Sequence, residues 1–398
     1  MRALTFLDLA TFYCPTGGGI RTYYDAKVDW FGRQSAHRYV LIVPGQRTLR
    51  RDLTNGVTVI EARGMRVTGA PDSYRLFTDL AHVRSAIHEF QPDVVEAGDP
   101  WISGPLALWL RRHDRIPAIV SSVFHSDPIP TYVEPVLARY TPEWMARGLS
   151  TMAGRAFYQL QRSYGLTMVS SACSADRLMR AGVGNIIRVP FGADAIFFQI
   201  GERREALERP RRRLLYAGRL DRDKGISLLI AILPRLLEDR TVSVTVAGMG
   251  AMRCAFEHWT HPQLRYVGYM RDREPLAVLY GEHDVFLAPG AYETFGLAAL
   301  EAAAAGLVVV GPDQGGTGTL LREMRSRFAF KAGDAEGFLA AIRAALDADP
   351  APASQASRRV AARYGTWQQA IGRLIAAYER ILEKDVCAGA RSCCHCTM

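Results

Sequence analysis

Residues 213–237 read RLLYAGRLDRDKGISLLIAILPRLL. An apolar run, Arg213–Ala217, gives way to a polar turn, and a helical pattern begins near Gly225. A continuous apolar strand feeding a helix is the repeating unit of a parallel sheet buried on both faces. The unit recurs downstream, with strands expected at Val242–Ala247, Leu264–Gly268, Asp284–Ala288, Leu307–Gly311 and Phe328–Lys331. Helices start near Ala251, Glu274, Gly296 and Thr317, and a last helical tract runs from about Ala335 to Glu383, broken at the proline- and alanine-rich Asp349–Ala353.

The preceding half follows the same scheme. Strands are expected at Ala3–Leu9, Tyr39–Pro44, Val57–Ala62, Asp93–Ala97, Ala118–Phe124, Thr167–Ala172 and Ile186–Pro190. Helical patterns cover Gly19–Gln34, Ser73–Phe90, Ser103–Arg112, Pro142–Arg162 and Ser174–Ala181. Between the halves lies GERREALERPRR, residues 201–212, highly charged and without an apolar face, which reads as a linker. The expected class is α/β, with two doubly wound parallel-sheet domains facing a central cleft. The divisions are an N-terminal domain (1–200), the linker, a C-terminal domain (213–384) whose last helix packs back on the first, and a cysteine-rich disordered tail (385–398).

A chain of 398 residues with 22% charged and 48% hydrophobic residues is of globular composition. The net charge of +9 is spread over both halves, which argues against a nucleic-acid-binding arm. No apolar run is long enough for a membrane-spanning helix. Asp8 interrupts the apolar N-terminus, so no signal peptide is expected. Of seven cysteines, four crowd the last dozen residues, unlike a secreted disulfide framework, and the expectation is a cytoplasmic protein. In CAGARSCCHCTM, Cys393, Cys394, His395 and Cys396 are adjacent without a C-x-x-C pair, a poor zinc set, so no metal site is assigned.

Loops at the carboxyl ends of the strands carry the chemistry. Gly17–Gly19 follows the first strand and opens a helix, where backbone N–H groups can approach an anion. Its spacing is not G-x-G-x-x-G, which argues against a dinucleotide-dependent dehydrogenase. AGRLDRDKG sets Arg219 and Lys224 across a turn into a helix, a clamp for a diphosphate or, alternatively, a solvated loop paired with Asp221 and Asp223. Lysine is scarce: Lys27, Lys224, Lys331 and Lys384 are the full set. In the third loop Glu293 precedes a helix, Glu301 lies within it, and Thr294, Phe295, Gly296 and Leu297 offer N–H groups at its first turn. A glutamate in LEAAAAG could equally face water.

The pair in ETFGLAALE is E-x7-E. With AGRLDRDKG, VPFGAD (Val189–Asp194) and the N-terminal GGGI, it resembles the retaining, nucleotide-sugar-dependent glycosyltransferases of family 4, of GT-B fold with two Rossmann-like domains. The likeness spans roughly residues 1–380, within which the wording FHSDPIPTY is similar to bacterial mannosyl- and glucosyltransferases of polysaccharide or glycolipid synthesis. The family often has Pro-Ser where this chain has Pro289-Gly290, a tolerated turn variant.

The resemblance implies that Glu293 binds donor-sugar hydroxyls and Glu301 the ribose hydroxyls. It implies that Arg219 and Lys224 neutralise the diphosphate, and that N–H groups around Phe295–Leu297 bind phosphate and sugar. Gly18 and Gly19 would let their loop approach the diphosphate, and His125 would be the active-site histidine beside the donor sugar. The base would meet backbone around Met270, within Tyr269–Arg271. The implied reaction is a front-face displacement with retention, needing no cofactor or metal, from a GDP- or UDP-hexose (GDP-mannose or UDP-glucose) to a lipid, saccharide or small-molecule acceptor. Asp221-Arg222-Asp223 spells D-x-D, but beside the clamp it is expected to orient the cations or cap the helix.

Acceptor identity is open. Helix Ile20–Gln34, with Tyr23, Tyr24, Trp30 and Phe31 among Arg21, Lys27 and Arg33, could rest on the inner face of a membrane or simply pack on the sheet. Pro128–Tyr164, rich in prolines and aromatics, could wall the acceptor side. The rival readings are a nucleotide-sugar epimerase of the same architecture and a non-catalytic sugar-nucleotide-binding protein.

Overall fold

The computed structural model describes residues 2–14, 17–33, 36–66, 75–204 and 212–393, with side chains at 203, 204 and 385–393 outside the description. In the N-terminal half the elements are β1 (Thr5–Leu9), α1 (Gly19–Arg33), β2 (Arg38–Gly45), β3 (Leu49–Asp52), β4 (Val57–Arg66), β5 (Arg75–Phe77), α2 (Leu80–Phe90), β6 (Val94–Ala97) and α3 (Ser103–His113). They continue as β7 (Ile119–Val123), a π-helical turn (Ile129–Val133), α4 (Glu134–Tyr140), α5 (Glu143–Ser163), β8 (Leu166–Val169), α6 (Ala172–Arg180), β9 (Ile186–Arg188) and α7 (Ala195–Arg204). The C-terminal half adds β10 (Arg213–Ala217), α8 (Ile226–Leu236), β11 (Ser243–Ala247), α9 (Cys254–Glu257), β12 (Leu264–Gly268), α10 (Arg273–Gly281) and β13 (Val285–Leu287). After it come α11 (Leu297–Ala304), β14 (Val308–Pro312), α12 (Gly315–Glu323), β15 (Ala329–Phe330), α13 (Ala335–Asp347), α14 (Pro350–Tyr364) and α15 (Trp367–Cys393).

Two sheets result, in the orders β3-β4-β2-β1-β6-β7-β8-β9 and β12-β11-β10-β13-β14-β15. The second is parallel throughout. In the first, the chain order reverses about β1, which lies between β2 and β6; in the second it reverses about β10, between β11 and β13. Strand ends at such reversals leave a crevice between diverging loops, where ligands of doubly wound folds bind. Gly17–Gly19 leaves β1 and the Arg219–Lys224 turn leaves β10, so both sit at these reversals.

Several expectations are corrected. The first sheet is not wholly parallel, because β3 and β5 pair antiparallel to β4. Leu49–Asp52 is exposed throughout and charged, an edge strand without the apolar run that marks the others. Helix α2 starts at Leu80, not Ser73, because the Asp79 side chain caps it by accepting the His82 N–H. The strand expected over Thr167–Ala172 ends at Val169, since Ser171 caps α6. Gly201–Arg204, expected as linker, completes α7; residues 205–211 of that linker lie outside the described residues. The expected break in the last helical tract is present but shorter than Asp349–Ala353: α13 ends at Asp347, Pro350 already opens α14, and Asp349 caps it through the Ala351 N–H. The tail expected to be disordered from residue 385 begins as helix, α15 running to Cys393; Cys394–Met398 lie outside the described residues.

The aromatics of α1 pack on the sheet. Tyr23, Tyr24, Phe31 and Lys27 are all buried, so this face does not meet a membrane. Lys27 Nζ lies 2.5 Å from Asp8 Oδ2 and 3.0 Å from Glu96 Oε1. Tyr23 donates to Glu96 Oε1 (2.8 Å) and Tyr39 to Asp8 Oδ2 (2.6 Å). Tyr378 of α15 reaches Glu96 Oε2 at 2.9 Å and Ser121 Oγ at 2.8 Å. The last helix thus joins the N-terminal sheet. The chain crosses from one sheet towards the other at Val189–Asp194, where Ala193 bridges Thr366. A Cβ on Gly192 would lie 2.3 Å from the Thr366 carbonyl, so only glycine permits that approach.

Breaking a buried ion pair from one side costs about 3–5 kcal/mol. Lys27→Ala, which strands two buried carboxylates, is expected to lower unfolding free energy by roughly that much in urea titrations. Burial, then the Glu96 charge, pushes the Asp8 carboxyl from its ordinary 3.8 up to about 7. The folded state therefore holds a proton that the unfolded chain has released. That contribution is complete below pH 3.8 and lost as pH rises through about 7. Asp8→Asn should accordingly flatten the melting temperature against pH across this window; an unchanged slope would locate the titration elsewhere.

Candidate functional site

The third loop follows β13 and lies against the turn after β10. Lys224 Nζ is 2.8 Å from Glu293 Oε1. Arg219 is held differently, its guanidinium donating to Asp221 Oδ2 and to Asp223 Oδ2 (2.6 Å). Asp221 Oδ1 accepts the Ala251 N–H at 2.8 Å and makes no cap to the short turn Arg222–Lys224, so the D-x-D pair orients the cation. Gly225 explains the neighbouring Pro289-Gly290. Its φ is +72°, and a Cβ there would lie 2.5 Å from the Pro289 carbonyl oxygen, so turn and loop touch backbone to backbone.

Glu293 is positioned from behind, its carbonyl accepting the Gly316 N–H at the start of α12 (2.6 Å). Thr294 spans the cleft. Its hydroxyl donates to the His125 carbonyl (2.7 Å), and its own carbonyl accepts from Ser171 Oγ (2.5 Å). Helix α11 begins at Leu297, so Thr294–Gly296 precede it; Gly296, at φ +82°, is the cap residue and provides no side chain there. The first N–H groups of α11 are consequently without a side-chain cap, a setting that favours an anion. Phe295 is buried against Phe191, ring centroids 5.2 Å apart, and so contributes through its backbone. Across the cleft Gly19 faces Leu297, whose Cδ2 is 3.5 Å from where a Gly19 Cβ would stand. Gly18 has open space at that point.

His125 is enclosed by Tyr23, Tyr24 and Phe191, and its Nε2 is buried without a hydrogen-bond partner. Burial lowers its pKa to about 4, so the ring is neutral at pH 7. Glu301, which the alanine-rich sequence leaves free to face water, is 4% exposed. Burial raises its pKa, opposed by the Arg273 guanidinium that bonds its Oε1. Met270 follows β12, half-buried, in a loop whose Tyr269 hydroxyl accepts from Arg21 of α1 (3.5 Å). The structure therefore joins Lys224 to Glu293, Thr294 to the His125 backbone, and Gly19 to Leu297, while Arg219 turns to its own aspartates. Sequence reasoning missed Arg273, Ser171 and Gly316, and it set Arg21 on a face offered to a membrane, where the structure turns it to Tyr269. Gly315-Gly316, following β14 as Gly17–Gly19 follows β1, was the available signal. Among the described residues no three His, Cys, Asp or Glu side chains are grouped to hold a metal ion; Cys394, His395 and Cys396 and the Cys393 side chain lie outside them.

Two doubly wound sheets with cations and carboxylates on the loops at their reversals have the architecture of the nucleotide-sugar-dependent glycosyltransferases of GT-B fold. The comparisons with known proteins agree. A family model described as Glycosyl transferases group 1 matches residues 211–348, and one described as a Glycosyl transferase 4-like domain matches residues 18–192. The GDP-mannose-dependent alpha-(1-6)-phosphatidylinositol dimannoside mannosyltransferase of Mycobacterium tuberculosis is 30% identical over 319 residues, 76% of this chain and 78% of its own. A GDP-mannose-dependent alpha-mannosyltransferase of Mycolicibacterium smegmatis is 28% identical over 393 residues, 94% of this chain and 96% of its own. Sucrose-phosphate synthase from Thermosynechococcus elongatus shares the fold, with a TM-score of 0.75 at 20% identity over 96% of this chain and 100% of that one. The chain belongs to the group 1, family-4-like glycosyltransferases. As a transferase it leaves the epimerase, dehydrogenase and non-catalytic readings behind.

Gly225→Ala tests the contact between turn and loop. Forcing a side chain into a left-handed conformation costs about 1–3 kcal/mol. The variant is expected to lose stability in that range by urea unfolding, as the turn and the Pro289-Gly290 loop are pushed apart.

Proposed function

We propose that this enzyme transfers mannose from GDP-mannose to a hydroxyl of a lipid-borne acceptor, with retention and without a metal ion. The observation that carries the reading is the Lys224–Glu293 pair at the β10 reversal, facing the Gly19 loop across Leu297. The donor is chosen over UDP-glucose because both curated relatives described above are named for GDP-mannose.

In this reading the anomeric C–O bond breaks and its electron pair leaves with GDP. Negative charge grows on the β-phosphate, which Lys224, the uncapped N–H groups of α11 and Arg219, exchanged from its aspartates, would neutralise. Preplaced donors of this kind are the largest single source of rate in such reactions. Lys224, Glu293 and Arg219 keep 26–35% of their side-chain surface exposed, so their ion pairs are screened and readily exchanged for ligand. Glu293 then accepts from sugar hydroxyls and Glu301 from the ribose. Neutral His125, with Nε2 unpartnered, donates to the sugar. The acceptor oxygen bonds the same face of the anomeric carbon, and its proton passes to the departing phosphate oxygen. Arg219 and Lys224 supply the charge that a divalent cation supplies elsewhere.

The acceptor side is argued from α4 and α5, which grow out of the segment following His125. Tyr132, Val136 and Tyr140, spaced by four, are exposed, as are Trp144, Met145, Leu149 and Met152. Arg139, Arg147 and Arg155 stand among them, also exposed, with the Arg139 guanidinium 5.4 Å from the Tyr140 ring. Interleaved aromatics and arginines suit an anionic bilayer surface, and one relative is named for a phosphatidylinositol-based substrate.

A panel of nucleotide sugars read by thermal shift tests the donor, since a bound ligand stabilises the native state. GDP-mannose should raise the melting temperature most. Glu293→Ala should lower kcat by about 10²–10³, and excess EDTA should leave transfer unchanged. Transfer surviving Glu293→Ala, or no response to GDP-mannose, overturns the reading. Sedimentation with phosphatidylglycerol vesicles, lost in Tyr140→Ala/Trp144→Ala, tests the surface. Loss of self-association in that variant, with vesicle binding unaffected, would assign the patch to a second copy instead.

A further inference from the structure

Arg273 opens α10 and belongs to none of the motifs above. Its Nε bonds Asp194 Oδ2 and its Nη2 bonds Glu301 Oε1. The guanidinium carbon lies 5.0 Å from the centre of the Phe197 ring, which is fully buried. Asp194 is the last residue of the crossover before α7, adjacent to Ala193, which bridges Thr366. One planar fork therefore joins the segment between the domains to the buried glutamate of α11.

We propose that Arg273 is a positioning residue: it fixes the Glu301 carboxylate for the ribose hydroxyls of the nucleotide and ties it to the interdomain crossover through Asp194. The proposal rests on the reading of Glu301 as the ribose-binding group. A guanidinium suits this task, because its planar array of N–H donors serves two carboxylates in set directions while the plane lies on an aromatic ring. A lysine ammonium is a point charge and cannot hold both in register. The titratable neighbours of Glu301 are Arg273 and Asp194, with Tyr280 further along α10. Burial favours the protonated glutamate, and Arg273 opposes it. Without that guanidinium Glu301 takes up a proton more readily, and a protonated carboxyl is a poorer acceptor for two hydroxyls.

The experiment measures binding of GDP and 2′,3′-dideoxy-GDP between pH 5.5 and 8.5 to the full chain and its variants. In the wild type GDP is expected to bind at least tenfold tighter than the dideoxy analogue, with little pH dependence. Arg273→Gln should reduce that ratio to below threefold at low pH and partly restore it as pH rises and Glu301 ionises. Adding Glu301→Gln to it should abolish the new pH dependence. Arg273→Lys, the conservative variant should Arg273→Gln not fold, retains the charge; it is expected to keep a flat profile while losing part of the ratio. A merely structural arginine would weaken both nucleotides alike at every pH. Wild-type discrimination in Arg273→Gln with an unchanged pH profile overturns the proposal. A wild type that does not distinguish the two nucleotides removes the ribose role of Glu301 first, and the proposal falls with it.

Discussion

One buried ammonium organises the N-terminal half. Lys27 projects from α1 between the carboxyl of Asp8 on β1 and that of Glu96 on β6, and three tyrosines add hydrogen bonds to them. A charge taken out of water is tolerated only where such partners surround it. The cluster therefore fixes the rotation and height of α1 over the sheet. Because α1 begins at Gly19, it also fixes where the glycine loop meets Leu297 across the cleft. Asp8 and Glu96 lie on neighbouring strands in direct register, so the helix, both central strands and the last helix share one point of attachment.

The cleft is spanned by specific polar contacts as well as apolar packing. Thr294 touches the ends of β7 and β8 through His125 and Ser171, and Phe295 beside it enters the aromatic series Tyr23, Phe191 and Trp367. The residue next to Glu293 is thus held by the opposite domain. The Thr294 hydroxyl thereby ties the loop that carries Glu293 to the residue that follows β7 by two, His125.

The motif residues were legible because strongly apolar strands fix where each loop begins, and Lys224 and Glu293 stand in such loops at helix starts, in an ordered set of motifs resembling a known family. Arg273 was not legible, since RDRE resembles any solvated charged turn, and only the fold brings Asp194 beside it from 79 residues away. Glu301 was ambiguous because alanines normally leave a helix face open; here Ala302–Ala305 are buried, and the glutamate is enclosed with them. Leu49–Asp52 and Arg75–Phe77 lacked the apolar run of central strands, and their pairing depends on β4 being in place. The aromatics of α1 have helical spacing whether they face lipid or a sheet, and the tertiary packing decided between them.

Tyr378 has a further consequence for how the two halves can be inherited. The N-terminal sheet completes its central polar cluster with a hydroxyl that the chain supplies 282 residues after Glu96. The C-terminal half thus carries, at its far end, a part belonging to its partner. The two halves are not freely interchangeable cassettes: an exchange at the crossover would also separate Tyr378 from the glutamate and serine it was fitted to. Whatever change the first half undergoes at this cluster, the final helix must change with it, so the true unit of exchange is discontinuous in sequence.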